Sequence, residues 1–109
     1  MNLPFSAEQP SRAQIDAMRG PVLLQFGTNW CGHCQRAQPA VHQALDAYPA
    51  VRHIKAEDGP GRELGRSYAV KLWPTLVFIL DGQEVDRLVR PVASAPVRER
   101  LQRLTDGAG

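Results

Sequence analysis

Cys31 and Cys34 are the only cysteines among the 109 residues of this chain, and they lie within one short stretch, Trp30-Cys31-Gly32-His33-Cys34. A Cys-X-X-Cys pair can do two kinds of chemistry. It can exchange disulfides, or it can supply two ligands to a metal. A structural zinc site needs four ligands, and no second cysteine pair is present. His33, His42 and His53 are not spaced as the other half of such a site. The expectation is therefore redox chemistry with no metal and no cofactor beyond a reversible Cys31–Cys34 disulfide.

Exchange requires a thiolate, because the neutral thiol is a poor nucleophile. The pair directly follows an apolar run, Val22 to Phe26, and directly precedes a helical pattern in which Ala37, Val41, Leu45 and Tyr48 recur on one face. Cys31 thus falls at a helix N-terminus, where unpaired N–H groups and the helix dipole favour an anion. Cys34 lies one turn deeper on the same side, close enough to bridge with little backbone movement. Gly32 is expected to permit the tight entry of the chain. His33 can act on the pair as a cation or as a hydrogen-bond donor; either favours the reduced form and makes the couple more oxidising. Cys31 attacks a substrate disulfide, Cys34 resolves the mixed disulfide, and the reverse sequence oxidises a dithiol.

The remaining elements follow from periodicity and punctuation. Leu3 to Phe5 reads as a short strand in an otherwise loosely ordered segment, residues 1–10. Ser11 with Gln14 forms a capping-box pattern that opens a helix to Arg19, with Ile15 and Met18 on its apolar stripe. Pro39 should kink the helix that carries the cysteines, and Pro49 ends it. Val51 to Lys55 reads as a strand and Arg62 to Ala69 as a short helix, after a turn at Gly59-Pro60-Gly61. Thr75 to Leu80, Asp81-Gly82 and Gln83 to Val89 read as a hairpin. Ser94 caps a last helix with Val97, Leu101 and Leu104 facing inward. The pattern predicts one α/β domain over residues 1–109, a three-layer sandwich with a central mixed β-sheet flanked by helices.

Val-Leu-Leu-Gln-Phe, Trp-Cys-Gly-His-Cys, Pro39, Trp73-Pro74-Thr75 and the Asp-Gly hairpin occur in an order and spacing that resemble the thioredoxin family, from about Pro21 to Leu104. The resemblance implies the thioredoxin fold, a cis bond at Trp73-Pro74, and a substrate strand added along the backbone of Trp73 beside the cysteines. It also implies that Trp30 covers the sulfurs. The expected partners are protein disulfides and dithiols, with a thioredoxin reductase or glutathione to recycle the pair. The Gly-His dipeptide and the aromatic before the proline resemble a protein disulfide isomerase domain. Couples typical of the two groups differ by roughly 90 mV, about 4 kcal/mol.

Two positions depart from the family pattern. Gln25 stands six residues before Cys31, where a buried carboxylate is usual. An amide cannot titrate, so Gln25 can orient a water or the Cys34 thiol and no more. Glu57 and Asp58 are the candidate substitutes. Arg90-Pro91 replaces a small glycine-containing loop beside the groove, which favours acidic segments. Both departures motivate a rival reading, a non-catalytic adaptor or holdase module of the same fold.

Composition narrows the partners further. Net charge is +2, with 43% hydrophobic and 22% charged residues and no long basic run. No nucleic-acid surface is therefore expected. The longest apolar run, Leu76 to Leu80, is too short to span a bilayer. The expectation is a cytoplasmic bacterial monomer, with an exported form whose leader has been trimmed as the alternative.

Overall fold

The computed structural model describes residues 4–108. Eight elements follow in chain order: α1 (Arg12–Asp16), β1 (Pro21–Gly27), α2 (Gly32–Asp46), β2 (Arg52–Glu57), α3 (Glu63–Ser67), β3 (Thr75–Leu80), β4 (Gln83–Val89) and α4 (Ser94–Ala108). The sheet runs in the order β2-β1-β3-β4. β1 pairs parallel with β2 and antiparallel with β3, and β3 pairs antiparallel with β4.

Side-chain alternation on β1 divides the core in two. Val22, Leu24 and Phe26 join Val77 and Ile79 of β3, and Ile15 of α1 and Leu64 of α3 cover them. Leu23 points the other way, with Leu76 and Phe78, against Val41 and Ala44 of α2 and Leu101 of α4. The result is the expected three-layer sandwich. Central strands buried on both faces read as near-continuous apolar runs, which is why β1 and β3 are plain in the sequence.

Local chemistry sets the boundaries. The Ser11–Gln14 capping box forms in both directions, but α1 stops at Asp16, short of the expected Arg19. α3 is likewise shorter than expected, because Ala69 adopts φ 55° and turns the chain away. α2 runs on through Pro39. The carbonyl that Pro39 leaves without a donor belongs to Gln35, and both residues are exposed, so solvent can satisfy it. In the hairpin, Asp81 and Gly82 both take positive φ, 50° and 82°, as a tight two-residue connection demands. A Cβ on Gly82 would run into the Asp16 carbonyl, so only glycine fits there.

The N-terminal segment is not loose where it is described. Ser6 N donates to Lys55 O at 3.0 Å and Glu57 N to Ser6 O at 2.9 Å, a parallel bridge beside β2 in place of the expected strand. Leu3 lies outside the described residues. Phe5 is buried, for a reason that belongs to the site.

Candidate active site

β1 ends at Gly27, and a short turn delivers Cys31 as the N-cap of α2, with φ −77° and ψ 122°. The Cys31 Sγ accepts the backbone N–H of Cys34 at 3.3 Å, so one otherwise orphaned helix donor points at the sulfur. Both thiols are free; Cys31 is 8% exposed and Cys34 4%. The outer sulfur thus sits at the positive end of a helix and the inner one beneath it. Burial first, then the hydrogen bond with Cys31, pushes the Cys34 thiol up to about 12.

The glycine that matters is not the one the motif suggests. A Cβ on Gly32 would meet nothing nearer than Arg36 Nη1 at 3.5 Å, an ordinary contact. A Cβ on Gly27 would lie 2.5 Å from Cys34 Sγ and 2.8 Å from Phe5 Cζ. Gly27 is therefore the residue whose missing side chain makes room for the inner sulfur.

The sulfurs are covered by Phe5 and Trp73 rather than by Trp30. Trp30 is 75% exposed and meets Trp73 edge-on, with ring centroids 5.8 Å apart. It lies in the outer turn before the cap, where no element packs over it. Phe5 is held by Asn29, whose Oδ1 accepts Phe5 N at 2.8 Å while its Nδ2 donates to Phe5 O at 3.3 Å. Trp73 Nε1 donates to Asp58 Oδ2 at 2.9 Å, and the Trp73–Pro74 bond is cis. Pro74 is buried and immediately precedes β3. Trp30, Trp73, Gly59 and Pro60 line an open groove of about 460 Å³.

Gln25 is 2% exposed on the face of β1 that looks toward α2. Its Oε1 lies 2.8 Å from His53 Nε2, so His53 is the donor and Gln25 the acceptor. Neither Glu57 nor Asp58 takes the place of the family carboxylate. Glu57 is paired with Arg62 at 2.9 Å, and Asp58 holds Trp73. The charged residue beside Cys34 is Lys55, opposite Gln25 in the β1–β2 register. Lys55, Cys34, Thr28 and Phe5 line a small cavity of about 40 Å³.

His33 is not the cation of the site. Its Nδ1 lies 2.9 Å from Arg36 Nη2, so the imidazole accepts from a guanidinium. Desolvation of the ring, then the positive charges of Arg90 and Arg36, hold His33 below its ordinary value. Positive charge at the mouth of the site thus belongs to Arg36 and Arg90. Arg90 takes φ 53° and donates from Nε to Trp73 O at 2.9 Å. Arg36, Lys55, His53, Phe5 and Asn29 were not singled out by sequence reasoning as site residues. Of these only Arg36 had a signal there, one helical turn after His33.

Among the described residues, no group of three or more His, Cys, Asp and Glu side chains could hold a metal ion. No described helix is long and apolar enough to cross a membrane.

Comparison with known proteins gives a consistent result. The family model described as Thioredoxin matches residues 6–103. Thioredoxin-2 of Pyricularia oryzae is 31% identical over 68 residues, 62% of this chain and 40% of that protein. The chain thus spans less than half the length of that relative. Thioredoxin 1 of Synechococcus elongatus is 30% identical over 84 residues, 76% of this chain and 78% of the relative. The solved structure of reduced thioredoxin 2 from Pseudomonas aeruginosa PAO1 is 51% identical, with a TM-score of 0.88 over 98% of this chain and 99% of that one.

Proposed function

The chain belongs to the thioredoxin family, and from that premise we propose that it is a thiol–disulfide oxidoreductase working through Cys31 and Cys34 on protein disulfides. The observation that carries the reading is the Cys31 Sγ at the cap of α2, accepting the Cys34 N–H with the second thiol buried directly beneath it. An anionic sulfur is stabilised there by a donor that is fixed before substrate arrives. Cys31 attacks the substrate disulfide, expelling one substrate thiolate and forming a mixed disulfide. Cys34 then displaces the second substrate thiolate, and two electrons have passed from the pair to the substrate.

Trp73 and Pro74 are the proposed substrate-binding residues, with an extended substrate segment adding along the Trp73 backbone. Arg90 already donates to the Trp73 carbonyl, so an incoming strand shares that oxygen with the guanidinium or uses the amide side. The proposed recycling partner is a thioredoxin reductase or glutathione. A solved structure of yeast mitochondrial 1-Cys peroxiredoxin concerns resolution through glutathione and thioredoxin systems, and its 24% identity carries the fold alone. We place the protein in the cytoplasm, as a monomer of one domain.

The Gly-His dipeptide between the cysteines, which resembles that of a protein disulfide isomerase domain, supports a higher potential. We therefore expect the couple to equilibrate with glutathione at a potential above the roughly −270 mV of thioredoxin, toward the isomerase range. A value at or below that figure removes the isomerase-like reading. Catalytic amounts should accelerate reduction of a disulfide-bonded protein by dithiothreitol. Absence of acceleration, with partner binding retained after both cysteines are changed to serine, would establish the adaptor reading instead.

A further inference from the structure

Arg36 and Arg90 are exposed at the mouth of the site, and neither pairs with a carboxylate among the described residues. An exposed arginine is ordinarily a solvated surface residue. Position sets these two apart. Arg36 Nη1 lies 3.5 Å from where a Cβ on Gly32 would stand, and Nη2 lies 2.9 Å from His33 Nδ1, so the guanidinium rests against the dipeptide between the cysteines. Arg90 is tied to the Trp73-Pro74 segment at two points. Its backbone N–H donates to Pro74 O at 2.9 Å, and its Nε donates to Trp73 O at 2.9 Å. Its φ of 53° is one that a glycine adopts freely and an arginine only under strain. The His33 ring, held down by desolvation first, feels the Arg90 charge and then the Arg36 charge, and no carboxylate offsets them. The two carboxylates that line the neighbouring groove are already engaged, Glu57 by Arg62 and Asp58 by Trp73.

We propose that Arg36 and Arg90 are specificity-determining residues, two cationic arms that select substrate segments carrying an aspartate or glutamate within about two residues of the reacting cysteine. This deepens the exchange reading above and rests on it. An extended segment laid along the Trp73 backbone advances about 3.3 Å per residue, so its side chains next to the cysteine pass the Arg90 guanidinium.

The bond from Nε to Trp73 O leaves both Nη groups of Arg90 as donors, in the planar fork that a carboxylate matches with two parallel hydrogen bonds. That same bond fixes the fork before substrate arrives, so less side-chain freedom is lost on binding. Arg36 adds a second positive charge beside the cysteines. A lysine in the substrate at the same place meets two like charges. The chemistry is unchanged by the arms: Cys31 attacks, and Cys34 resolves. They act earlier, on the encounter and on how long the segment stays in register, and so on formation of the mixed disulfide.

The test uses two capped peptides that differ in a single residue, Glu or Lys, placed two positions from a cysteine blocked as a mixed disulfide with a coloured aryl thiol. Reduced protein in excess attacks the peptide sulfur, the aryl thiolate leaves, and its colour gives a second-order rate constant. The readout is the ratio of the Glu to the Lys rate constant, which a variant that is merely less active does not move. Wild type should favour the Glu peptide by about tenfold at low salt, and about 0.5 M salt should shrink that ratio to about threefold or less. Arg90→Gly, which suits the backbone, should lower the ratio to about threefold, and the double variant Arg36→Gln, Arg90→Gly should bring it near one. A wild-type ratio near one overturns the proposal, as does a ratio that persists in the double variant. A preference indifferent to salt overturns it too, and that arm needs no variant. Should wild type release no aryl thiolate from either peptide, the exchange reading itself falls; equal release from both sinks the specificity alone.

Discussion

Replacing either cysteine by serine should stop turnover, but in opposite ways. Cys31→Ser should lower disulfide reduction by about three orders of magnitude or more and capture no substrate. A hydroxyl at the cap does not ionise at neutral pH, and the one remaining thiol, Cys34, is 4% exposed and pushed up to about 12. It is neither reachable nor anionic. Cys34→Ser leaves the nucleophile intact, because the group that donates to Cys31 Sγ at 3.3 Å is the backbone N–H of residue 34, indifferent to its side chain. Attack should proceed, nothing should resolve it, and a one-to-one mixed disulfide should accumulate. Intact-mass analysis after quenching with an alkylating agent reads both outcomes. An adduct on the Cys31→Ser variant would reverse the assignment of attacking and resolving sulfurs.

The asymmetry between the two thiols was legible before any coordinates, because it follows from one turn of helix. So was the frame that holds them. β3 and β4 match their sequence boundaries, since the two-residue Asp81-Gly82 turn fixes where each strand meets the hairpin, although the register shifts at a bulge between Phe78 and Ile79 that the sequence did not announce. What the sequence withheld were contacts between positions far apart in the chain. Phe5 and Asn29 are tied across 24 residues by loop contacts, and His53 and Gln25 across 28 by the pairing of β1 with β2, contacts that exist only once the chain has folded. Lys55 reaches the site because β2 lies parallel to β1 in a register that sets it opposite Gln25. A lysine in an otherwise half-polar strand carries no local mark of that position. The motif also misled in detail. It directed attention to Gly32 and Trp30, the conspicuous residues beside the cysteines. The space for the inner sulfur is instead made by Gly27, and its cover by Phe5 and Trp73. His33 looked like the cation because histidine can be one; desolvation of its ring, with the Arg90 and Arg36 charges after it, decides otherwise.

The polar floor below the cysteines should also reveal itself as an acid sensitivity of the whole fold. His53 is pushed down to about 4 by burial first and by the positive charges of Lys55 and His42 after it. In the unfolded chain its value returns to about 6.5. Between those two values the unfolded state binds a proton that the folded state refuses. The sign is therefore fixed: stability is complete above about pH 6.5, falls as pH drops, and has lost this contribution once pH passes below about 4. The full loss is about 3 kcal/mol, a large fraction of what holds a domain of this size together. His53→Gln keeps a side-chain amide that can still donate to Gln25 but cannot take a proton. The variant should be less sensitive to acid over this interval, with His42, also held below its ordinary value, contributing the remaining slope in the same direction. Urea unfolding of the two proteins at closely spaced pH values measures the difference directly. Parallel curves from pH 7 to pH 4 would mean that His53 is protonated as easily inside the fold as outside it. The 2.8 Å contact to Gln25 argues against that only through burial, since a charged imidazolium could donate the same hydrogen bond. Desolvation and the nearby Lys55 charge, not the hydrogen bond, are thus what the experiment tests.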